Sequence, residues 1–162
     1  MNYNIIIRQM NLFKGHIVNK IIKNMGAWGY GIFDDDTAYE FTDDIKDDPK
    51  EFFKSSFDHA IGQEYLDYDE CHAVTVSAAY MDNLLNGTQY RTDSHEREDE
   101  SNVNLFGTLH KGLDVSDLKP LAVRALQRVL AENAELNELW SENEELYPKW
   151  KQGIVDILER LR

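Results

Sequence analysis

From residue 48 onward, apolar side chains recur mainly at three- and four-residue spacing, the period of a helix that buries one face. The clearest start is Asp48-Pro49-Lys50-Glu51: an N-cap aspartate, a proline at the first helical position and a glutamate to close a capping box. A helix to about Tyr65 follows, with Phe53, Phe57, Ala60, Ile61 and Tyr65 as its stripe. Asp69 is read as the cap of a further helix from Glu70 to Leu85, with Val74, Ala78, Met81 and Leu85 inward and Asn86-Gly87 as its stop. Val74-Thr75-Val76 resembles a strand, but the length of the pattern decides for helix. Asp117 is expected to cap a helix through Glu132, burying Leu121, Ala125 or Leu126, and Val129, with Pro120 accommodated in the first turn. A short helix over Ala134 to Ser141 carries Leu136, Leu139 and Trp140. The last helix starts near Pro148, where Trp150, Ile154, Ile157, Leu158 and Leu161 form an almost unbroken apolar face.

Before residue 48, Thr37 and Glu40 have capping-box spacing and predict a short helix through about Ile45. Residues 88–113 keep no period and predict a long exposed loop, with an extended piece at Val103 to Leu109. The expected fold is therefore all-α: a compact orthogonal bundle of five to six helices, with a Gly/Trp-rich N-terminal loop and a long loop at about 88–115.

Charge divides the chain. The first 24 residues contain Arg8, Lys14, Lys20 and Lys23 and no acid, so residues 25–162 hold 13 basic against 30 acidic side chains, a net −17. This predicts a basic N-terminal extension at 1–24 and a single acidic helical domain at 25–162. Met10, Phe13, Ile17, Val18 and Ile21 give the extension amphipathic helical spacing, either for docking or as an accessory tail before a start at Met25. A domain this negative repels nucleic-acid phosphates and anionic membranes and attracts basic proteins. No run of 18 apolar residues marks a membrane span, the N-terminus lacks a signal-peptide pattern, and Cys71 stands alone, so a cytoplasmic protein without disulfides is expected.

Met25 to Phe33 (MGAWGYGIF) sets glycines among aromatic rings, a composition for a loop whose backbone approaches those rings closely. It lacks the lysine and hydroxyl of a phosphate-binding loop. Trp28, Tyr30, Phe33, Asp34, Asp35 and Asp36 are the candidate ligand- or partner-binding residues. Asp34, Asp35, Asp36, Asp43, Asp44 and Glu40 offer hard oxygen ligands, but not at calcium-loop spacing, and capping with solvation is the plainer account. An aspartate bonded to the glycine-loop amides would lock the Trp28 turn onto the first helix. His59, Glu70, Cys71 and His72 are metal-compatible but Glu70 to His72 point to different sides of one helix, and His95 and His110 are far along the chain. Cys71 paired with His59 or His110 as a nucleophile has no local signature, so a packed thiol is expected. Trp140 and Trp150 suit either a core or partner anchors. No cofactor is called for.

The stretch Met25-Gly26-Ala27-Trp28-Gly29-Tyr30-Gly31-Ile32-Phe33-Asp34-Asp35-Asp36 resembles the opening of the bacterial family catalogued as domain of unknown function 4259. Val129 to Trp140 (VLAENAELNELW) resembles that family's late Glu-Leu-x-Glu-Leu-Trp segment, with the Trp150 helix following. Residues 88–115 and 1–24 depart from the pattern. The resemblance implies no activity. The function expected is that of a non-enzymatic acidic binding protein engaging a basic protein surface, as an inhibitor, immunity or regulatory protein. Alternatives are a metal-dependent hydrolase using Asp34 to Asp36, a nucleic-acid mimic, and a small-ligand binder at the Trp28 loop.

Overall fold

The computed structural model describes residues 26–92, 98 and 101–162. The amphipathic segment expected before Met25, His95, and most of the charged stretch around it lie outside the described residues. Among the described residues the fold is all-α, with seven α-helices: α1 (Asp36–Asp44), α2 (Pro49–Gly62), α3 (Tyr68–Asn86), α4 (Val103–Leu109), α5 (Lys119–Val129, entered through a 3₁₀ turn, Ser116–Leu118), α6 (Glu135–Ser141) and α7 (Tyr147–Leu161).

The capping chemistry explains most boundaries. Asp48 accepts from Glu51 N–H at 3.2 Å, and Pro49 occupies the first turn of α2. α3 begins two residues earlier than its apolar pattern suggests. Asp67, not Asp69, is its cap, bonded to Glu70 N–H while the Glu70 side chain returns to Asp67 N–H. α1 likewise starts from Asp35, which accepts from Thr37 N–H at 2.8 Å, rather than from Thr37 itself. Asp117 falls inside the 3₁₀ turn, so α5 has no side-chain cap. At the end of α3, Gly87 takes φ 71°, the left-handed stop expected after Asn86.

α3 is the axis of the molecule, packing against every other α-helix. Its residues are buried almost without interruption from Cys71 to Asn83, on all sides rather than along one stripe. Around it, Phe53, Phe106, Tyr80 and Phe33 form a chain of edge-on ring contacts, with centroids 5.0–6.1 Å apart. Each such buried ring contributes on the order of 2–3 kcal/mol. Trp150, Ile154, Ile157, Leu158 and Leu161 are all buried, as the last helix's periodicity requires. Tyr65, by contrast, falls beyond α2 and is exposed, and Leu85 reaches solvent at the end of α3.

One expectation is overturned. Val103 to Leu109 is a helix, not an extended piece of a long loop. Asn102 caps it, accepting from Asn104 N–H at 2.9 Å, and Val103 and Phe106 are buried against α3. At seven residues it is too short to show a period, and packing on α3 stabilises what local pattern does not. Gly107 permits the approach: its N–H donates to Asn83 Oδ1 at 2.8 Å, and a Cβ there would lie 3.0 Å from Asn83 O and 3.1 Å from Leu84 Cα.

Two alanine substitutions should therefore differ in sign. In Gly107→Ala the added methyl meets backbone, so urea denaturation should show a loss of about 1 kcal/mol or more despite alanine's higher helix propensity. In Gly153→Ala, on α7 with nothing near the new Cβ, stability should rise by roughly 0.5–1 kcal/mol.

Candidate functional site

The glycine-rich turn is closed by its own backbone. Trp28 N–H donates to Asp34 O at 2.8 Å, Asp36 N–H to Gly26 O at 3.1 Å, and Ala27 and Asp35 form an isolated antiparallel bridge. Gly26 adopts φ 93°, which an L side chain rarely takes. Gly29 and Gly31 are glycines for space. Cβ atoms there would drive into the Asp34 carboxylate, at 2.9 Å from its Oδ2 in the case of Gly31. That carboxylate accepts from Gly31 N–H at 3.0 Å, so an aspartate does bond a glycine-loop amide, but its further partner is Arg91 rather than the first helix.

The three successive aspartates take three different roles. Asp34 is buried and pairs with Arg91, whose Nη2 and Nε both donate to it, the latter at 3.3 Å. Asp36 is exposed on α1. Asp35 is only 3% exposed, and besides capping α1 it accepts a short hydrogen bond from the Tyr68 hydroxyl. His72, one turn further along α3, brings Nε2 to 3.4 Å from Asp35 Oδ2, within reach of the charge but without hydrogen-bonding geometry. Burial alone would push the Asp35 carboxyl up; the His72 imidazole, the Tyr68 hydroxyl and the Thr37 amide outweigh it and hold the group below the usual carboxylate range. Burial and then Asp35 push the Tyr68 hydroxyl above its ordinary value.

The aromatic candidates also separate. Phe33 is buried edge-on against Tyr80 and Tyr90. Trp28 is 50% exposed and stacks on Tyr39 with centroids 6.2 Å apart. Tyr30 is exposed and carries the Arg91 guanidinium 5.3 Å and the Lys149 ammonium 5.7 Å from its ring centre. Trp140 and Trp150 are buried and stacked at 6.1 Å.

A small cleft joins these parts. Gly29, Gly31 and Ile32 of the turn line it together with Asp35, with His72 and Thr75 of α3, and with Leu136, Trp140 and Trp150. It has room for about one water at its floor. Gly26–Asp36 and Val129–Trp140, which carry most of the family resemblance, thus contribute to one cleft. A family model described as domain of unknown function (DUF4259) matches residues 26–153. The chain belongs to that family. Searches of curated proteins and of solved structures find no match.

Elsewhere in this DUF4259 domain the candidate groups are dispersed. His59 pairs with Glu70 at the surface, away from the buried Asp35–His72 pair. Cys71 is buried, donates toward Leu66 O at 3.8 Å, and is pushed up to about 12 by that burial, which removes it as a thiolate. Among the described residues no three His, Cys, Asp or Glu side chains gather as a metal ion's ligands would. Sequence reasoning took His72 as one scattered histidine and did not single out Tyr68. The available signal was their spacing: Tyr68 and His72 are four apart, on one face of a helix, and their rings meet edge-on at 4.6 Å.

Tyr68→Phe removes one donor from a buried carboxylate and should cost about 1–3 kcal/mol at pH 7. Because Asp35 titrates in the folded protein below its unfolded value of 3.8, its contribution is present above that value and fades as pH falls through the folded pKa. The variant's folded pKa lies nearer 3.8, so it has less to lose. Urea melts of the two proteins should therefore converge as pH is lowered from 7 to below 4.

Proposed function

We propose that this DUF4259 domain is a non-enzymatic binding protein, of the inhibitor, immunity or regulatory kind, which engages a basic protein surface. The observation that carries the reading is the acidic face along α1 and its exit. Asp36, Glu40, Asp43, Asp44, Asp47 and Asp48 are all exposed there. The lysines beside them are engaged inside the molecule, Lys46 with Asp43, and Lys50 with Asp117 and Asp114 O. Lys46 therefore offsets Asp43, the remaining acids keep the face net negative, and opposite charge on a partner would raise encounter rates and select among partners. No helix among the described residues is long and apolar enough to cross a membrane.

Affinity capture from native lysate with the tagged full-length chain, at low and high salt, tests this. A basic protein retained at low salt and released at high salt is the expected result. With that protein purified, Glu40→Lys/Asp44→Lys/Asp47→Lys should slow association by about tenfold with a smaller change in dissociation. Absence of any salt-sensitive basic partner, or association rates untouched by charge reversal, overturns the reading.

A further inference from the structure

The three buried aspartates are neutralised unequally. Asp34 holds Arg91, and Asp82, wholly buried in α3, holds Arg160 with Nε at 2.8 Å as well as the Tyr90 hydroxyl at 2.5 Å. Asp35 has no lysine or arginine among the described residues. Its one basic neighbour is His72, which is 5% exposed and whose two ring nitrogens both lack a hydrogen-bond partner. Asp35 thus has only an imidazole beside it where the other two carboxylates hold guanidinium groups. Of the three, only Asp35 borders the cleft.

We propose that the cleft between the Gly29–Ile32 turn and the Trp140–Trp150 pair receives a primary alkylammonium group, the side chain of a lysine on the basic partner, with Asp35 as its counter-ion. The proposal rests on the partner reading above and names the group that partner presents. An ammonium is a compact point charge, which suits a narrow cleft better than a broad planar guanidinium does. The lining matches its protons. An ammonium has three to donate, and the cleft supplies the Asp35 carboxylate, the Thr75 hydroxyl, whose own proton goes to His72 O at 3.3 Å, and the imidazole of His72. Trp140 and Trp150 also line the cleft, and indole suits both methylene groups and positive charge. Among the described residues no cation takes the place: Arg91 is committed to Asp34, Lys149 lies over Tyr30, and neither lines the cleft.

The test is titration of the full-length protein with n-butylammonium, n-butylguanidinium and n-butanol, read by the Trp140 and Trp150 indole N–H resonances. Saturable shifts with n-butylammonium alone, at a dissociation constant on the order of 1 mM for so small a ligand, are the expected result. Asp35→Asn, which keeps a good N-cap residue, should weaken the response about tenfold. Should that variant fail to fold, the three-ligand comparison on the wild-type protein still decides. Equal responses to amine and alcohol, or no saturable response, overturn the site. So does a His72 ring carrying both protons at pH 7, because His72 would then be the counter-charge. A captured partner without an amine response leaves the acidic face standing and removes the cleft from its interface. An amine response without any captured partner upholds the ammonium site and overturns the partner reading.

Discussion

Burial of α3 on every side is the constraint from which most of the remaining structure follows. A helix with one buried face sends its polar side chains to water, but between Cys71 and Asn83 this one has no such face. Its internal polar groups must be met by neighbouring elements or remain orphaned at a cost of about 1–3 kcal/mol each. Asp82 draws in Arg160 from α7 and Tyr90 from the segment after α3. Asn83 donates to Thr88 O and accepts from Gly107 N–H, which ties both the chain reversal and α4 to the axis. Among the described residues neither His72 nor the Ser77 hydroxyl receives such completion, and of the two His72 lines the cleft beside the glycine-rich turn.

That turn is held by a division of labour among adjacent carboxylates. Asp34 folds back on the turn and recruits Arg91, so the loop is closed from within and clamped by the segment that follows α3. Asp35 points the other way. One of its oxygens starts α1 and the other meets Tyr68, so the same side chain fixes the first helix and joins it to the central one. Glycine is required at residues 29 and 31 because Asp34 occupies the volume that a Cβ would need. Composition suggested backbone approaching aromatic rings; the close approach is to a carboxylate instead.

The parts legible from sequence were those set by local chemistry. Asp48 with Pro49, the Gly87 stop and the α7 stripe each follow from a few neighbouring residues, and each lies where the pattern puts it. What was not legible depended on tertiary contact. α4 has seven residues and an internal glycine, and it forms because α3 offers Asn83 and a buried surface. The α3 cap was displaced to Asp67 because three acids, Asp67, Asp69 and Glu70, compete at one helix start, and only Asp67 stands three residues ahead of Glu70. At the candidate site the aspartates and the tryptophans were visible as residue types. Their grouping was not, since Asp35, the Tyr68–His72 turn and Trp140 come from three stretches that only the packed helices bring together.

A second connection explains why the late segment reaches the cleft at all. Leu66 pairs with Ala134 in a parallel bridge, Leu66 N–H donating to Asn133 O and Glu135 N–H to Leu66 O, at 3.1 and 2.8 Å. Arg128 spans the same junction, donating to the Gln63 and Glu64 carbonyls and to Asn133. Glu135 then accepts from Tyr68 N–H at 2.8 Å. The start of α6 is thereby fixed against the start of α3, and two turns of helix carry Leu136 and Trp140 to the cleft that Gly29 and Gly31 also line. The residues that cap α3 and those that align α6 share one short stretch of chain, Gln63 to Tyr68. The geometry of the Asp35–His72 pair and the width of the cleft are therefore set by the same contacts. A change in that stretch would alter both together, whereas a change in Trp140 or Trp150 would alter the cleft and leave the buried pair in place.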